Sequence, residues 1–236
     1  MKVPVDLHIH SCLSPCANDD MTPGNIAGMA ALAGIRILAV TDHNCALNLP
    51  ACEIAAQALG LQLLPGLEVT TREEAHCLCY FTTVENALNF GERIEAALGD
   101  AMNLPRLFGN QYVMNAADII TASVPKLLIQ STKLTLDELD SLARAHGGLL
   151  VPAHINRGSN GLLQCLGFLP DSPRFAALEV SPTAPAPLCD LRGHHILNSS
   201  DAHRLDAILE PAQYLELAEA TTAALFDLME RWYRQR

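Results

Sequence analysis

The sequence predicts an α/β protein in which short strands alternate with helices along one chain. Apolar runs recur, and the run over residues 35–40 is typical of a strand buried on both faces of a parallel sheet. Helix start and stop signals separate these runs, as where Thr22 and Pro23 precede a helix that ends at Gly34. Polar residues follow the strands directly, at the edge where α/β folds assemble their sites.

Composition predicts a single domain over residues 1–236. Half of the residues are hydrophobic and 17% are charged, so a large core is available and general disorder is excluded. The formal net charge of −11 argues against a long nucleic acid or an anionic membrane as a partner. Bound cations would make the electrostatic potential locally positive, so a small phosphorylated substrate could still bind. A homo-oligomer is left open.

The cysteines indicate a reducing compartment. The eight cysteines show no paired zinc-knuckle spacing, and the chain has neither a signal peptide nor an apolar run long enough to span a membrane. We therefore expect free thiols and a cytoplasmic location. Cys12, Cys16 and Cys45 stand beside the predicted site, where loop packing is favoured over a ligand role.

The first part of the chain is predicted to repeat the strand–helix unit. Its first strand ends within residues 6–11, Thr22 caps the first helix, and Gly60 ends the second. Further strands are predicted over residues 35–40, 61–65 and 76–81, and helices over residues 23–33, 50–59 and 84–98.

Residues 99–132 interrupt this alternation because they lack helical periodicity. We interpret them as an insertion, an arm or lid with a β-ribbon, that borders the mouth of the site and helps to select the substrate. A dimerisation arm or a plain surface ribbon is the alternative. Beyond the insertion, helices are predicted over residues 136–146 and 218–232, and strands over residues 149–151, 177–180 and 196–197. The seven strands together predict parallel βα units.

Residues with metal-binding side chains stand just after the predicted strands. His8 and His10 share one face because side chains alternate along a strand. One such pair occurs often by chance, so the prediction rests on the whole set. The set is His8, His10, His43, Glu68, His154, Asp201 and His203, with His76 brought to the same edge by a short turn. Imidazoles and carboxylates suit zinc, manganese or iron, and this many donors predicts two or three ions.

The segments around these residues resemble the motifs of the polymerase and histidinol phosphatase (PHP) superfamily, in the same order and over nearly the whole chain. They are Asp6-Leu7-His8-Ile9-His10-Ser11, Thr41-Asp42-His43, Pro65-Gly66-Leu67-Glu68, Pro152-Ala153-His154 and Ser200-Asp201-Ala202-His203. The resemblance implies a distorted (β/α)7 barrel with a trinuclear metal centre at the C-terminal ends of the strands. It also implies, as is usual in the superfamily, hydrolysis of a phosphoester.

The resemblance further implies how the ligands are divided among the ions. Glu68 would bridge the first and second ions, and a residue of the first loop would complete the third site. The implied sets are His8, His10, Glu68 and Asp201 for the first ion, Glu68, His76 and His154 for the second, and His43 and His203 for the third.

The first loop departs from the family pattern. Many members carry Ser-Asp-Gly shortly after the first motif, whereas here Ser14 is followed by Pro15 and Cys16. Asp20 is the expected substitute, and Asp19 is the alternative. Asp42 is expected to orient a ligand imidazole.

The function implied by the resemblance is that of a metal-dependent phosphoesterase, with Glu68 and Asp201 in the catalytic centre. A metal-bound hydroxide would attack phosphorus in line. Arg157 and Arg204 follow ligand motifs and would clamp the phosphate bidentately, with surface ion pairs as the alternative. The leading substrate is a small phosphomonoester, such as a nucleotide or the phosphate of a sugar or amino alcohol. The alternatives are a 5′–3′ exonuclease or nucleotide phosphodiesterase and a noncatalytic metal- or ligand-binding barrel, although an intact ligand set argues against the latter.

Overall fold

The computed structural model describes residues 1–235, which contain eleven strands and seven helices. The strands are β1 (Lys2–Ile9), β2 (Ile37–Val40), β3 (Gln62–Leu63), β4 (Gly66–Thr70), β5 (His76–Tyr80), β6 (Tyr112–Met114), β7 (Ile120–Ser123), β8 (Leu149–Pro152), β9 (Leu178–Glu179), β10 (Ile196–Leu197) and β11 (Gln213–Glu216). The helices are α1 (Pro23–Leu32), α2 (Leu49–Ala58), α3 (Val84–Ala97), α4 (Pro105–Phe108), α5 (Leu136–Ala145), α6 (Leu162–Leu166) and α7 (Thr222–Arg234).

Strands β1, β2 and β3 form a parallel layer, which confirms the predicted βα units in this part of the chain. Val5 lies opposite Ile37, and Ile37 lies opposite Gln62. Helices α1 and α2 provide the crossovers that parallel neighbours require. All four residues of β2 are apolar and buried, as expected for a strand covered on both faces. Thr22 caps α1 as predicted.

Strands β4, β5 and β8 form an antiparallel sheet, so the prediction of parallel units is wrong for this part of the chain. The sequence predicts that a strand over residues 61–65 ends here, whereas residues 66–70 form β4. Only residues 71–75 separate β4 from β5, a connection too short for the crossover that a parallel pair needs. Thr70 lies opposite His76, so Glu68, two residues before Thr70, projects from the same face as His76.

The strands come together at one end of the molecule. Isolated bridges join Ile9 to Ala202 and His43 to Glu68. One core cluster combines inward residues of β1, β2, β5 and β8 with Leu225 of α7. Strand β11, which the sequence did not predict, pairs antiparallel with β1, and β9 pairs in parallel with β10. The fold is mixed α/β; its hydrogen-bonded strands form four sheets within the described residues, and closure into a seven-stranded barrel stays a prediction.

The predicted insertion contains the expected β-ribbon, formed by β6 and β7. Buried amide side chains fasten the insertion to the rest of the molecule. The Asn44 side chain donates hydrogen bonds to the carbonyls of Leu128 (2.6 Å) and Gln130 (3.0 Å). The Asn48 side chain donates to the carbonyl of Tyr112 at 3.1 Å. These bonds hold the insertion against the loop that follows β2.

Two further predictions can be compared with the structure. Within the described residues, no helix combines the length and the apolar character needed to cross a membrane. All eight cysteines are free thiols, as expected from their spacing.

Candidate metal centre

His8 and His10 form the innermost part of the site. The alternation along β1 turns Leu7 and Ile9 into the core and leaves the two imidazoles facing together, both fully buried. Their Nε2 atoms lie only 3.1 Å apart. Two nitrogen lone pairs this close repel each other unless a cation or a proton lies beside them, so the geometry is that of a pair of metal ligands.

Glu68 lies at the centre of the histidines. Its Oε1 atom is 2.9 Å from His76 Nδ1 and 3.0 Å from His154 Nε2. Its Oε2 atom is 3.1 Å from His43 Nδ1 and 3.3 Å from His10 Nε2. Burial alone would raise the pKa of this carboxyl, but the surrounding histidines, His76 above all, hold the pKa of Glu68 well below its usual range. The carboxylate is therefore ionised and able to bridge cations.

Asp201 contributes the second carboxylate from the loop after β10. Its Oδ1 atom lies 3.3 Å from His8 Nε2 and 3.2 Å from His10 Nε2, and its Oδ2 atom lies 2.5 Å from an Arg157 guanidinium nitrogen. Burial opposes ionisation, yet the charge on His8 and the hydrogen bond with His10 depress the pKa of Asp201 far below its ordinary value. His203 Nδ1 lies 3.6 Å from the same Oδ1 atom.

A second set of side chains fixes the orientation of the two inner imidazoles. His8 Nδ1 lies 3.0 Å from Glu179 Oε2, and the same oxygen accepts the amide of His154 at 2.8 Å. The Ser14 hydroxyl donates to Asp42 Oδ1 at 2.6 Å and therefore accepts from His10 Nδ1 at 2.9 Å. With Nδ1 bonded to these acceptors in both rings, Nε2 is the atom that can give up its proton and bind a cation.

Two of these partners can be compared with the sequence prediction. Asp42 was expected to orient a ligand imidazole, and its described contacts reach His10 through Ser14. Glu179 was not predicted at all. Its signal in the sequence is a single carboxylate within the short apolar run at residues 177–180, where a buried acid requires a partner.

The donor atoms fit metal ions. Three groups have ligand atoms within 4.8 Å of one another, and His10 and His43 each belong to two of the groups. Within the described residues, the close polar contacts of the buried atoms His43 Nδ1 and Asp201 Oδ1 are with other ligand atoms and do not form well-aligned hydrogen bonds, as expected of atoms that serve as ligands. Such imidazole and carboxylate donors suit transition metals. The groups are His8, His10 and Asp201; His43, Glu68 and His76; and His10, His43 and His203.

The histidines divide into two electrostatic classes. Burial would lower the pKa of His10, but its bonds to Asp201 and Glu68 raise it to about 9. Burial and the neighbouring charge of His10 lower the pKa of His203 to about 4. Burial also lowers the pKa of His43 well below its ordinary value. His43 and His203 are therefore neutral at pH 7, with lone pairs available to a cation.

The remaining predicted site residues lie at the edge of the site. Asp20 is exposed and belongs to none of the three ligand groups found among the described residues. Asp19 is also exposed, and its carboxylate accepts from the Asn110 amide at 2.8 Å. Arg204 is exposed and paired with Asp206, whereas Arg157 lies beside the ligands through its contact with Asp201.

A cavity of about 360 Å³ opens onto the ligands. Ile129, from the predicted insertion, contributes to its wall, as does Cys16 from the loop after β1. Arg157 lies in the wall of this cavity and of a neighbouring one. The residues lining the cavity are Cys16, His43, Glu68, His76, Ile129, His154, Arg157, Ser159, Asn160, Asp201 and His203.

A mixed α/β fold with buried histidines and carboxylates gathered at the strand ends defines a protein with a candidate metal centre. The chain belongs to the PHP domain family, whose model matches residues 6–141. This match confirms the resemblance found in the sequence motifs.

Individual relatives extend the comparison. A 5′-3′ exoribonuclease from Haemophilus influenzae is 33% identical over 69 residues, which are 29% of this chain and 24% of that protein. A lesion-specific endonuclease from Pyrococcus furiosus superposes on 95% of this chain with a TM-score of 0.69 and 22% identity. This chain spans about half of the endonuclease, covering 55% of its length.

A protein from Bifidobacterium adolescentis, provisionally named a metal-dependent phosphoesterase, is similar over its whole length. The superposition covers 97% of this chain and 96% of that protein, with a TM-score of 0.60 and 18% identity. At these identities the solved structures establish a shared fold.

Proposed function

We propose that this protein is a metal-dependent phosphoesterase that hydrolyses a small phosphomonoester. The observation that carries the proposal is the position of Glu68, whose two oxygens face different ligand groups at the floor of the cavity. A carboxylate shared in this way suits two or three zinc, manganese or iron ions. Bound divalent ions supply positive charge for the phosphoryl oxygens and lower the pKa of coordinated water.

The residues of the chain have separate roles in this proposal. Glu68 and Asp201 balance the charge of the ions, while Glu179 and Ser14 keep two imidazoles in the ligand tautomer. Arg157 orients the phosphate, because its guanidinium lies in the cavity wall beside Asp201.

The size and charge of the site favour a small substrate. A cavity of about 360 Å³ is at the lower end of the range for small-molecule pockets. The net charge of −11 would repel the phosphate backbone of a long nucleic acid. Arg157 and Arg204 each pair with an aspartate, which neutralises the positive charge nearest the mouth.

The insertion over residues 99–132 belongs to this proposal as a wall that selects the substrate. Ile129 contacts the cavity, and the bonds from Asn44 hold the segment around Ile129 in place. We therefore propose a fixed wall rather than a mobile lid. The pairing of β1 with β11, which joins the two ends of the described chain, supports one domain over residues 1–236.

A 5′–3′ exonuclease or nucleotide phosphodiesterase is the second candidate. The 69-residue similarity to a 5′-3′ exoribonuclease favours it. The first candidate cleaves the single ester bond of a phosphomonoester, whereas the second cleaves one of the two ester bonds of a phosphodiester. The second ester group of a phosphodiester must also fit in the cavity.

Matched substrates test the two candidates. We expect the metal-loaded protein to hydrolyse p-nitrophenyl phosphate and nucleoside 5′-monophosphates at least about tenfold faster than bis(p-nitrophenyl) phosphate and 5′-phosphorylated oligonucleotides. The variant Glu68→Gln is the control for contaminating phosphatase. Faster cleavage of the diesters would establish the second candidate, and metal binding without turnover of any of them would indicate a noncatalytic barrel.

A further inference from the structure

One of the three ligand groups lacks an anionic member. Asp201 and Glu68 each belong to one of the other two groups, whereas the group of His10, His43 and His203 contains imidazoles only. With an ion bound, these three imidazoles supply three of the four positions of a tetrahedral site, while Glu68 and Asp201 lie beside the group. The fourth ligand can be water or an anionic side chain, and an anionic side chain would also balance part of the charge of the ion.

Cys16 is the residue of the first loop that lines this cavity. It contributes to the same wall as His43 and His203. The two aspartates that follow it are exposed and do not line the cavity, and Asp19 is bound to Asn110. Among the described loop residues 11–22, no other side chain forms part of the cavity wall.

The backbone holds Cys16 in this position. The Asn18 amide donates to the carbonyl of His203 at 3.0 Å, which ties the loop to a ligand residue. On the other side, the Pro15 carbonyl packs closely against Gly109 of the insertion, where a Cβ atom would lie 2.0 Å from the oxygen. Gly109 has a φ of 101°, so both space and backbone conformation require glycine there.

Buried ligand atoms belong to residues that line the same cavity. His43 Nδ1 and Asp201 Oδ1 belong to side chains that are 6% and 8% exposed, and neither atom makes a well-formed hydrogen bond. Their close polar neighbours are other ligand atoms, Glu68 Oε2 at 3.1 Å from His43 Nδ1 and His10 Nε2 at 3.2 Å from Asp201 Oδ1. Both residues line the cavity together with Cys16, and a cation bound between them and a sulfur would satisfy these atoms.

We propose that Cys16 is the anionic ligand of the ion held by His10, His43 and His203, in the place where a carboxylate was expected. This inference rests on the proposed multinuclear centre. On binding, the Cys16 sulfhydryl releases its proton to the solvent and its sulfur forms a bond to the ion. A thiolate favours zinc, iron(II) or cobalt(II) over manganese or magnesium, so Cys16 sets the metal preference of this position.

Cobalt(II) substitution tests the proposal by a signal that does not depend on turnover. Cobalt-loaded wild-type protein should show thiolate-to-cobalt charge-transfer absorption in the near ultraviolet, and Cys16→Ser should lose it. Cys189→Ser is the matched control, because Cys189 is also exposed but lies outside the ligand groups. The control should keep the absorption.

Metal content and thiol protection complete the test. Cys16→Ala should hold about one zinc ion fewer per chain, whereas Asp20→Asn should hold the wild-type number. Iodoacetamide should alkylate Cys16 in chelated protein, and zinc should protect it. Absence of the charge-transfer band, or unchanged zinc content in Cys16→Ala, would overturn the proposal. If phosphoester hydrolysis persists in that case, the proposed function survives while the Cys16 inference fails.

Discussion

The metal centre has an inner wall and a rim, and the chain holds them differently. The inner wall consists of His8, His10, Glu68 and Glu179, which lie on or directly after strands and are almost completely buried. The rim consists of Cys16, Arg157, His203 and Arg204, which come from loops and are at least partly exposed. Strand register and multiple hydrogen bonds fix the inner wall, whereas the rim residues depend on the loops that carry them.

This difference separates two properties of the site. Changes in the inner wall alter ions that are shared between groups, so they affect metal content and turnover together. Changes at the rim alter one ion or the substrate, and leave the rest of the centre in place. The following predictions use this contrast.

The largest effect is expected from Glu68→Gln. Glu68 faces five imidazoles, and its removal takes away the buried charge that balances neighbouring cations. We expect kcat to fall by more than about a hundredfold, beyond the loss that follows removal of a residue supporting a ligand. Elemental analysis should show metal content falling with turnover. Near-wild-type turnover in a variant with native circular dichroism would remove Glu68 from the centre.

Glu179 should have the next largest effect, although it reaches the metal only through His8. Glu179→Ala removes the acceptor for His8 Nδ1 and for the His154 amide, and should weaken metal affinity by about 10- to 100-fold. Glu179→Gln retains an oxygen acceptor without the charge, so its metal affinity should lie between those of the wild type and Glu179→Ala. Competition with a fluorescent chelator measures the metal affinity of all three proteins. Equal affinities would mean that the buried carboxylate serves the fold alone.

The smallest effect is expected at the rim, where two arginines provide a matched pair. Arg157→Ala should raise KM for a phosphomonoester by about tenfold or more, since a charge-assisted hydrogen bond to phosphate is lost, while metal content stays the same. Arg204→Ala should leave KM unchanged, because Arg204 pairs with Asp206 outside the cavity wall. Equal increases in KM for the two variants would mean that both arginines contact the phosphate, and would contradict the prediction.

The inner wall could largely be predicted from the sequence. The spacing of His8 and His10 on a strand specifies that both face one side, and the structure brings them within 3.1 Å. Glu68 was expected at the site because it follows a predicted strand. In the structure it lies within β4, and the antiparallel pairing of β4 with β5 presents it beside His76. The residue pattern identified Glu68 as a ligand. The antiparallel direction of β5 relative to β4 depends on the short connection over residues 71–75.

The rim and the supporting residues were harder to predict because their contacts join distant parts of the chain. Asp20 seemed suitable from its distance to the helix start, yet its side chain faces outward. Glu179 contacts His8 across 171 positions, and only the tertiary structure makes that pair visible. Ser14 connects Asp42 with His10, which no local periodicity indicates.

The pairing of the first strand with the last has a consequence for synthesis of the protein. His8 and His10 leave the ribosome well before Asp201, His203 and the β11 strand that pairs with β1. During translation the emerging histidines therefore lack the carboxylate that faces them, and β1 lacks one of its neighbours. The complete ligand set exists only after residue 203 has been translated, and a product truncated before residue 201 would lack Asp201 and His203.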